Sequence, residues 1–309
     1  MKSRLWDLER DGVTQGLISR FLACPEKLRV SHILGLRREQ TSDALRFGSI
    51  FHDMLRFHKA TEQSPNQTMD FIYERDYKLA KNKLEVEGNQ LWYAIALEVL
   101  KVYVNYWKDD DENRDWLGVE KVFDVRYTPS ELPVPTTRLR GRRDGEYRST
   151  SIFLKETKTR AQHNEEAAMD KIAIDFQVWF YLLSLYLEYG EFPGGVLYDI
   201  VRRPLLRQGK KESEREFLNR VRQDVITRPD HYFVRYPCSV EEDEFMTFKA
   251  DLDSILYRIW DWWNDGVGTH YKNTSNCQLG YLTCEFLPYC ARKERSLYTT
   301  RELFNELDD

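Results

Sequence analysis

At Val122 a helix-forming sequence turns into a strand-forming one, and that switch limits the fold more than any other feature. Phe123 to Tyr127 alternates apolar and polar residues, Leu132-Pro133-Val134-Pro135 interrupts, and the pattern resumes from Thr137 to Asp144. Ser151 to Leu154 reads as a third short strand, so three strands with short connections predict a meander. A long helical pattern follows from Ala167 to Tyr189, closed by Gly190, and Gly195 to Val201 then reads as a buried strand. Strands, a long helix and another strand predict an α/β core: a mixed sheet flanked by helices. Ahead of the switch, Thr14 to Ala23, Phe47 to Ala60 and Glu87 to Trp107 carry helical spacing, the last running into an acidic stretch, Asp109 to Glu112, expected to be exposed. Beyond the core, Glu212 to Val225 and Glu241 to Asp265 are again helical. With 309 residues, the chain reads as one large domain, with an N-terminal helical part (1–120), a core (121–205) and a cysteine-rich C-terminal part (206–309).

Charge narrows the function. The net charge is −5, from 46 basic and 51 acidic residues, so a polyanion must be held by local patches rather than by a global field. Two exist. Eight basic residues between Arg138 and Arg160 face only Asp144, Glu146 and Glu156, and Arg202, Arg203, Arg207, Lys210 and Lys211 have no acid between them. The longest apolar stretch, Phe176 to Leu187, is shorter than the roughly 18 residues a membrane span requires, and the N-terminus lacks a secretory pattern. A cytoplasmic protein with no membrane contact is expected.

The chemistry concentrates in Gly141-Arg142-Arg143-Asp144 and Glu156-Thr157-Lys158. On neighbouring strands Asp144 can meet Glu156, and alternation puts Glu156 and Lys158 on one face. Two carboxylates offer hard oxygen ligands for Mg²⁺ or Mn²⁺, and a lysine beside them neutralises charge developing on a phosphate. Gln177 and Tyr181, at i and i+4 on the long helix, face the same way. Upstream, Gly48-Ser49-Ile50-Phe51-His52 places a histidine on a helix behind a glycine that permits close approach. Trp260, Trp262 and Trp263 lie in an apolar helix and read as core rather than as a base-stacking platform.

In this order, G-x-x-x-H, G-x-x-D, E-x-K and Q-x-x-x-Y, the sequence resembles the RecB-like branch of the PD-(D/E)XK nuclease superfamily, beginning with Ser19-Arg20-Phe21-Leu22-Ala23-Cys24-Pro25. The resemblance implies metal ligation by His52, Asp144 and Glu156 with the Thr157 carbonyl as a fourth ligand, catalysis by Lys158, and Gln177 and Tyr181 along a DNA path. Arg140, Arg142 and Arg143 are the expected backbone contacts. The implied activity is Mg- or Mn-dependent DNA cleavage, as an exonuclease on single strands or duplex ends, in recombination, repair or phage DNA processing. A non-cutting DNA-end scaffold beside a helicase or recombinase is the alternative, and a small-molecule phosphoesterase a third.

The cysteines number five, an odd count that argues against a disulfide framework. Cys24 with Cys277, Cys284 and Cys290 resembles the iron–sulfur staple of AddB-type and CRISPR-adaptation nucleases, which implies a [4Fe–4S] cluster, with zinc as the alternative. The six residues between Cys277 and Cys284 exceed the two usual in that family. Cys238 falls outside the set.

Overall fold

The computed structural model describes residues 5–38, 43–80, 83–130, 132–160, 170, 172–265, 271–279, 282–300, 302–304 and 307. In chain order its strands are β1 (Val13–Thr14), β2 (Leu36–Arg38), β3 (Asp115–Tyr127), β4 (Thr137–Arg148), β5 (Ile152–Arg160), β6 (Gly195–Arg202), β7 (Phe233–Ser239), β8 (Gln278–Leu279), β9 (Leu282–Thr283) and β10 (Tyr298–Thr300). The expected meander is present: β3, β4 and β5 pair antiparallel in succession. β6 then joins β5 in parallel and β7 closes the far edge antiparallel, while β1 pairs in parallel with the start of β4. The sheet is therefore mixed. The crossover from β5 to β6 carries the helix Phe176–Tyr189, as a parallel connection requires. The first part of the helical pattern, Ala167 to Met169, lies outside the described residues.

Helices cover both faces of this sheet. Leu154, Val196, Phe180, Leu183, Leu252 and Ile259 belong to a core shared with the helices Gln15–Ala23, Phe176–Tyr189 and Glu242–Asn264. Phe51, Leu100, Tyr103, Val201, Val221 and Phe233 form a second core with the helices Asp43–Thr61, Gln90–Tyr106 and Glu214–Thr227. Each fully buried leucine or phenylalanine contributes about 1.5–3 kcal/mol, so the two cores fix the sheet from both sides. Trp262 is buried in the first core and Trp263 meets Trp6 edge-on at 5.0 Å, in line with a packing role. A third cluster, Val30 with Phe286 and Tyr289, joins the two ends of the chain, and β2 pairs antiparallel with β10 beside it.

The acidic stretch departs from expectation. Asp111 is buried, with Lys59 on one oxygen and Arg235 at 2.8 Å on the other. Among the described residues, no helix is long and apolar enough to cross a membrane.

Candidate metal centre

Asp144 and Glu156 follow directly from the pairing of β4 with β5. One step beyond the Gly145↔Lys155 pair, they lie across from each other, and the Thr157 amide donates to Asp144 Oδ2 at 2.7 Å. His52 arrives from the opposite layer, its Nδ1 4.0 Å from Asp144 Oδ2. Gly48 makes that approach feasible, because a Cβ there would stand 2.7 Å from Thr159 Oγ1 and would push the helix off β5.

The structure adds a ligand that sequence reasoning missed. Glu120 on β3 lies across from Asp144, between the pairs Val119↔Gly145 and Lys121↔Arg143. Ligand atoms of His52, Glu120 and Asp144 all lie within 4.8 Å of one another. Glu120 has φ +51°, a left-handed conformation rare for a side-chain-bearing residue and costing about 1–3 kcal/mol. No sequence signal marked it: the residue sits in a strand irregularity, beyond the register shift between Trp116 and Gly118, where alternation gives no guide.

Glu156 is buried, and its partners form a closed circuit. Lys158 Nζ lies 2.6 Å from Glu156 Oε1, Gln177 Nε2 donates to that same oxygen at 2.9 Å, and Lys158 donates to Gln177 Oε1 at 2.6 Å. Asp175 caps the helix by accepting from the Gln177 amide, so Gln177 is held in the first turn above the sheet. Tyr181, one turn on, receives a 3.3 Å hydrogen bond from Gln177. Gly141 leaves room for this packing, since a Cβ there would meet the Phe123 ring at 2.6 Å and Tyr181 at 3.1 Å. Gln177 thus acts on the lysine and the glutamate, with both ends of its side-chain amide engaged. Glu156 Oε2 is buried without a hydrogen-bond partner among the described residues.

Burial pushes the Glu156 carboxyl up to about 8, with the Asp144 charge adding to the effect against Lys158. Burial likewise pushes Glu120 up to about 9, reinforced by Asp144 and opposed by Arg56 and Arg142. Burial alone would pull the Lys158 ammonium down, but Glu156 holds it up. Glu156 and Asp144 thus act on Lys158 while Glu120 meets Arg56 and Arg142, and the raised glutamates mark a site with too little positive charge. A donor set of carboxylates and an imidazole suits a hard divalent cation such as Mg²⁺ or Mn²⁺.

Beside these groups opens a cleft of about 310 Å³, lined by Gln15, Arg20, His32, His52, Glu120, Arg140, Arg142, Asp144 and Tyr181. Two of the three expected backbone contacts, Arg140 and Arg142, line it. Arg143 does not. It is wholly buried, 2.7 Å from Glu146 and paired with Glu188, with Ser184 Oγ accepting at 2.8 Å. Its place under the helix Phe176–Tyr189 excludes contact with DNA, which corrects the sequence expectation.

Cys24 lies against the C-terminal segment that carries Cys277, and among the described residues no group of three thiols lies close enough to share one ion. Cys24 Sγ accepts from the Asn273 amide at 3.3 Å, and Asn276 donates to the Ala23 carbonyl at 2.6 Å. The long Cys277–Cys284 spacing is a hairpin: β8 and β9 pair between them, and the Cys284 amide returns to the Cys277 carbonyl at 2.9 Å. Cys290 lies with Cys284 against the third apolar cluster. Burial raises its thiol pKa, and Glu26, Cys284 and Cys24 add to the rise. Cys238 packs separately on the first core.

A sequence profile described as "PD-(D/E)XK nuclease superfamily" matches residues 13–291. No curated protein matches the chain. A solved structure described as "Crystal structure of SSO0001" aligns at 16% identity over 78% of this chain and 86% of its own, with a TM-score of 0.30, too low to add to the profile match.

Proposed function

The chain belongs to the PD-(D/E)XK nuclease superfamily, and from that premise we propose that it is a Mg- or Mn-dependent deoxyribonuclease of the RecB-like branch, working as an exonuclease on single strands or strand ends. The cluster of His52, Glu120 and Asp144, with Glu156 across from Asp144 and paired with Lys158, carries this reading. Those four side chains, with Thr157 between them on β5, would hold the cation. When bound, it would supply Lewis-acid chemistry, activating water and polarising the scissile phosphate. Lys158, kept charged by Glu156, stabilises the negative charge that builds on the non-bridging oxygens. Gln177 holds Lys158 at that position, and the cleft beside Arg140 and Arg142 takes the sugar–phosphate chain. The want of a separate base-reading element among the described residues favours an end-directed or single-strand enzyme over a site-specific one. Incubation with single-stranded, duplex and mononucleotide substrates, with and without Mg²⁺ or Mn²⁺, tests the reading. Metal-dependent release of nucleotides from DNA is expected, and metal-dependent hydrolysis of mononucleotides alone overturns it.

The four thiols at the chain ends support a second element of the proposal, a [4Fe–4S] staple that joins the N- and C-terminal parts of one nuclease domain. The hairpin return at Cys277 and Cys284 and the contact of Cys24 with Asn273 are the supporting observations. Protein purified without oxygen should be brown and carry about four irons. Colourless protein with one zinc would replace the cluster by a structural zinc, and protein with neither metal removes the staple.

A further inference from the structure

The basic run from Arg202 to Lys211 is not used by the metal centre. It leaves the sheet where β5 and β6 end side by side: Arg160 pairs with Arg202, and the Arg203 amide donates to the Arg160 carbonyl at 2.7 Å. Glu156, Lys158 and Arg160 alternate along β5, so Arg160 lies about 13 Å beyond Glu156 at roughly 3.3 Å per residue. The carboxyl ends of parallel strands are also where open α/β sheets bind their ligands.

The loop is held open by its own hydrogen bonds. Glu212 accepts from the Gly209 amide at 2.8 Å, and Gln208 donates to the Glu212 carbonyl at 2.8 Å. Arg220 holds both Glu212 oxygens, at 2.9 and 2.8 Å, and donates to the Arg207 carbonyl at 2.9 Å. Arg220 thereby cancels the nearest acid, and Glu216 is committed to capping Ser213. Arg207, Lys210 and Lys211 remain exposed and form no ion pair among the described residues.

We propose that Arg207, Lys210 and Lys211 form a backbone-phosphate track that carries the DNA strand away from the metal centre past Arg160. This rests on the nuclease reading. The partner is identified by charge: a row of cations without a stacking ring suits the uniform negative charge of a sugar–phosphate chain and reads no bases.

The test measures binding of fluorescent single strands of about 6 and about 20 nucleotides by the full chain in Ca²⁺, across a salt series. For R207A/K210A/K211A, matched to wild type in Tm, affinity for the longer strand should fall at least tenfold, and its log K against log salt slope should become shallower by about 2. K210E/K211E should weaken the longer strand further, and the shorter strand should lose little with either variant. If wild type binds the longer strand and the triple variant keeps both affinity and slope, the track is wrong while the nuclease reading stands. If wild type neither binds nor cuts DNA, the nuclease reading itself fails. Binding of wild type through these residues to phosphatidylserine vesicles, and not to DNA, also overturns the proposal.

Discussion

β5 carries a buried charge cluster on each side, and the two are unbalanced in opposite senses. On one side Lys155 lies 2.9 Å from Asp199, with Arg235 at 3.4 Å and the Tyr103 hydroxyl on the same carboxylate. Burial would raise the Asp199 pKa, but Lys155 and Arg235 bring it below the ordinary value, and Lys155, Arg235 and Lys59 do the same for Asp111. Across the strand, Glu156 and Asp144 share Lys158 and Glu120 meets Arg56 and Arg142, yet both glutamates go up. The equally deep burial of Asp199 and Glu156 thus has two outcomes, decided by the positive charge each carboxylate meets. The saturated cluster ties β5 to β6 and β7. The unsaturated one is left short of positive charge, which a divalent ion would complete.

Substitution at the unsaturated side is the strongest way to break this contrast. E156Q and K158A should each cut DNA cleavage by about 10³-fold or more, with Tm in chelator unchanged or, for E156Q, higher. Activity near wild type in either would remove the metal-centre assignment. D199N should do the reverse: it leaves Lys155 buried with a weakened partner, costs about 3–5 kcal/mol and lowers Tm by about 10 °C. A D199N protein that melts like wild type would deny the saturated cluster its structural role. Q177A should reduce turnover by about 10–100-fold with little change in Tm, because it frees Lys158 without removing a charge, and Y181F should cost less.

The smallest effect is the pH dependence of the chelated protein, and it sharpens the comparison most. Glu156 is raised, so its contribution is full below the ordinary glutamate value and is lost as pH climbs through about 8. Asp199 is lowered, so its contribution is present above the ordinary aspartate value and is lost as pH falls through the folded value. Tm should therefore fall at both ends, E156Q should flatten part of the alkaline limb, and D199N should flatten the acid limb. A metal-free Tm that does not fall between pH 6 and 9 contradicts the raised glutamates.

Asp144, Glu156 and Lys158 were legible because neighbouring strands let the two carboxylates meet and alternation puts Glu156 and Lys158 on one face, whereas His52 rested on the order of the motifs. Glu120 was not legible, since its left-handed backbone lies at the irregular end of β3, where periodicity stops. Arg143 misled for a related reason. Spacing shows that it adjoins Asp144, while only the packed helix shows that it and Glu146 both turn inward to Ser184, Glu188 and Tyr189. Arg235 acquires its role from Asp199, 36 residues away.

The joining of the two chain ends governs the timing of synthesis. Val30 and Cys24 emerge from the ribosome early, yet the groups that cover them, Asn273, Phe286, Tyr289 and Tyr298, come some 250 residues later. Val30 must wait, apolar and uncovered, until about 250 further residues have been made. Contacts of such long separation form late and slow folding. A chain stopped before Phe286 could thus form the sheet and the first core, β1 included, yet would leave Val30, Leu34 and Leu36 uncovered, a ready target for chaperones and proteases.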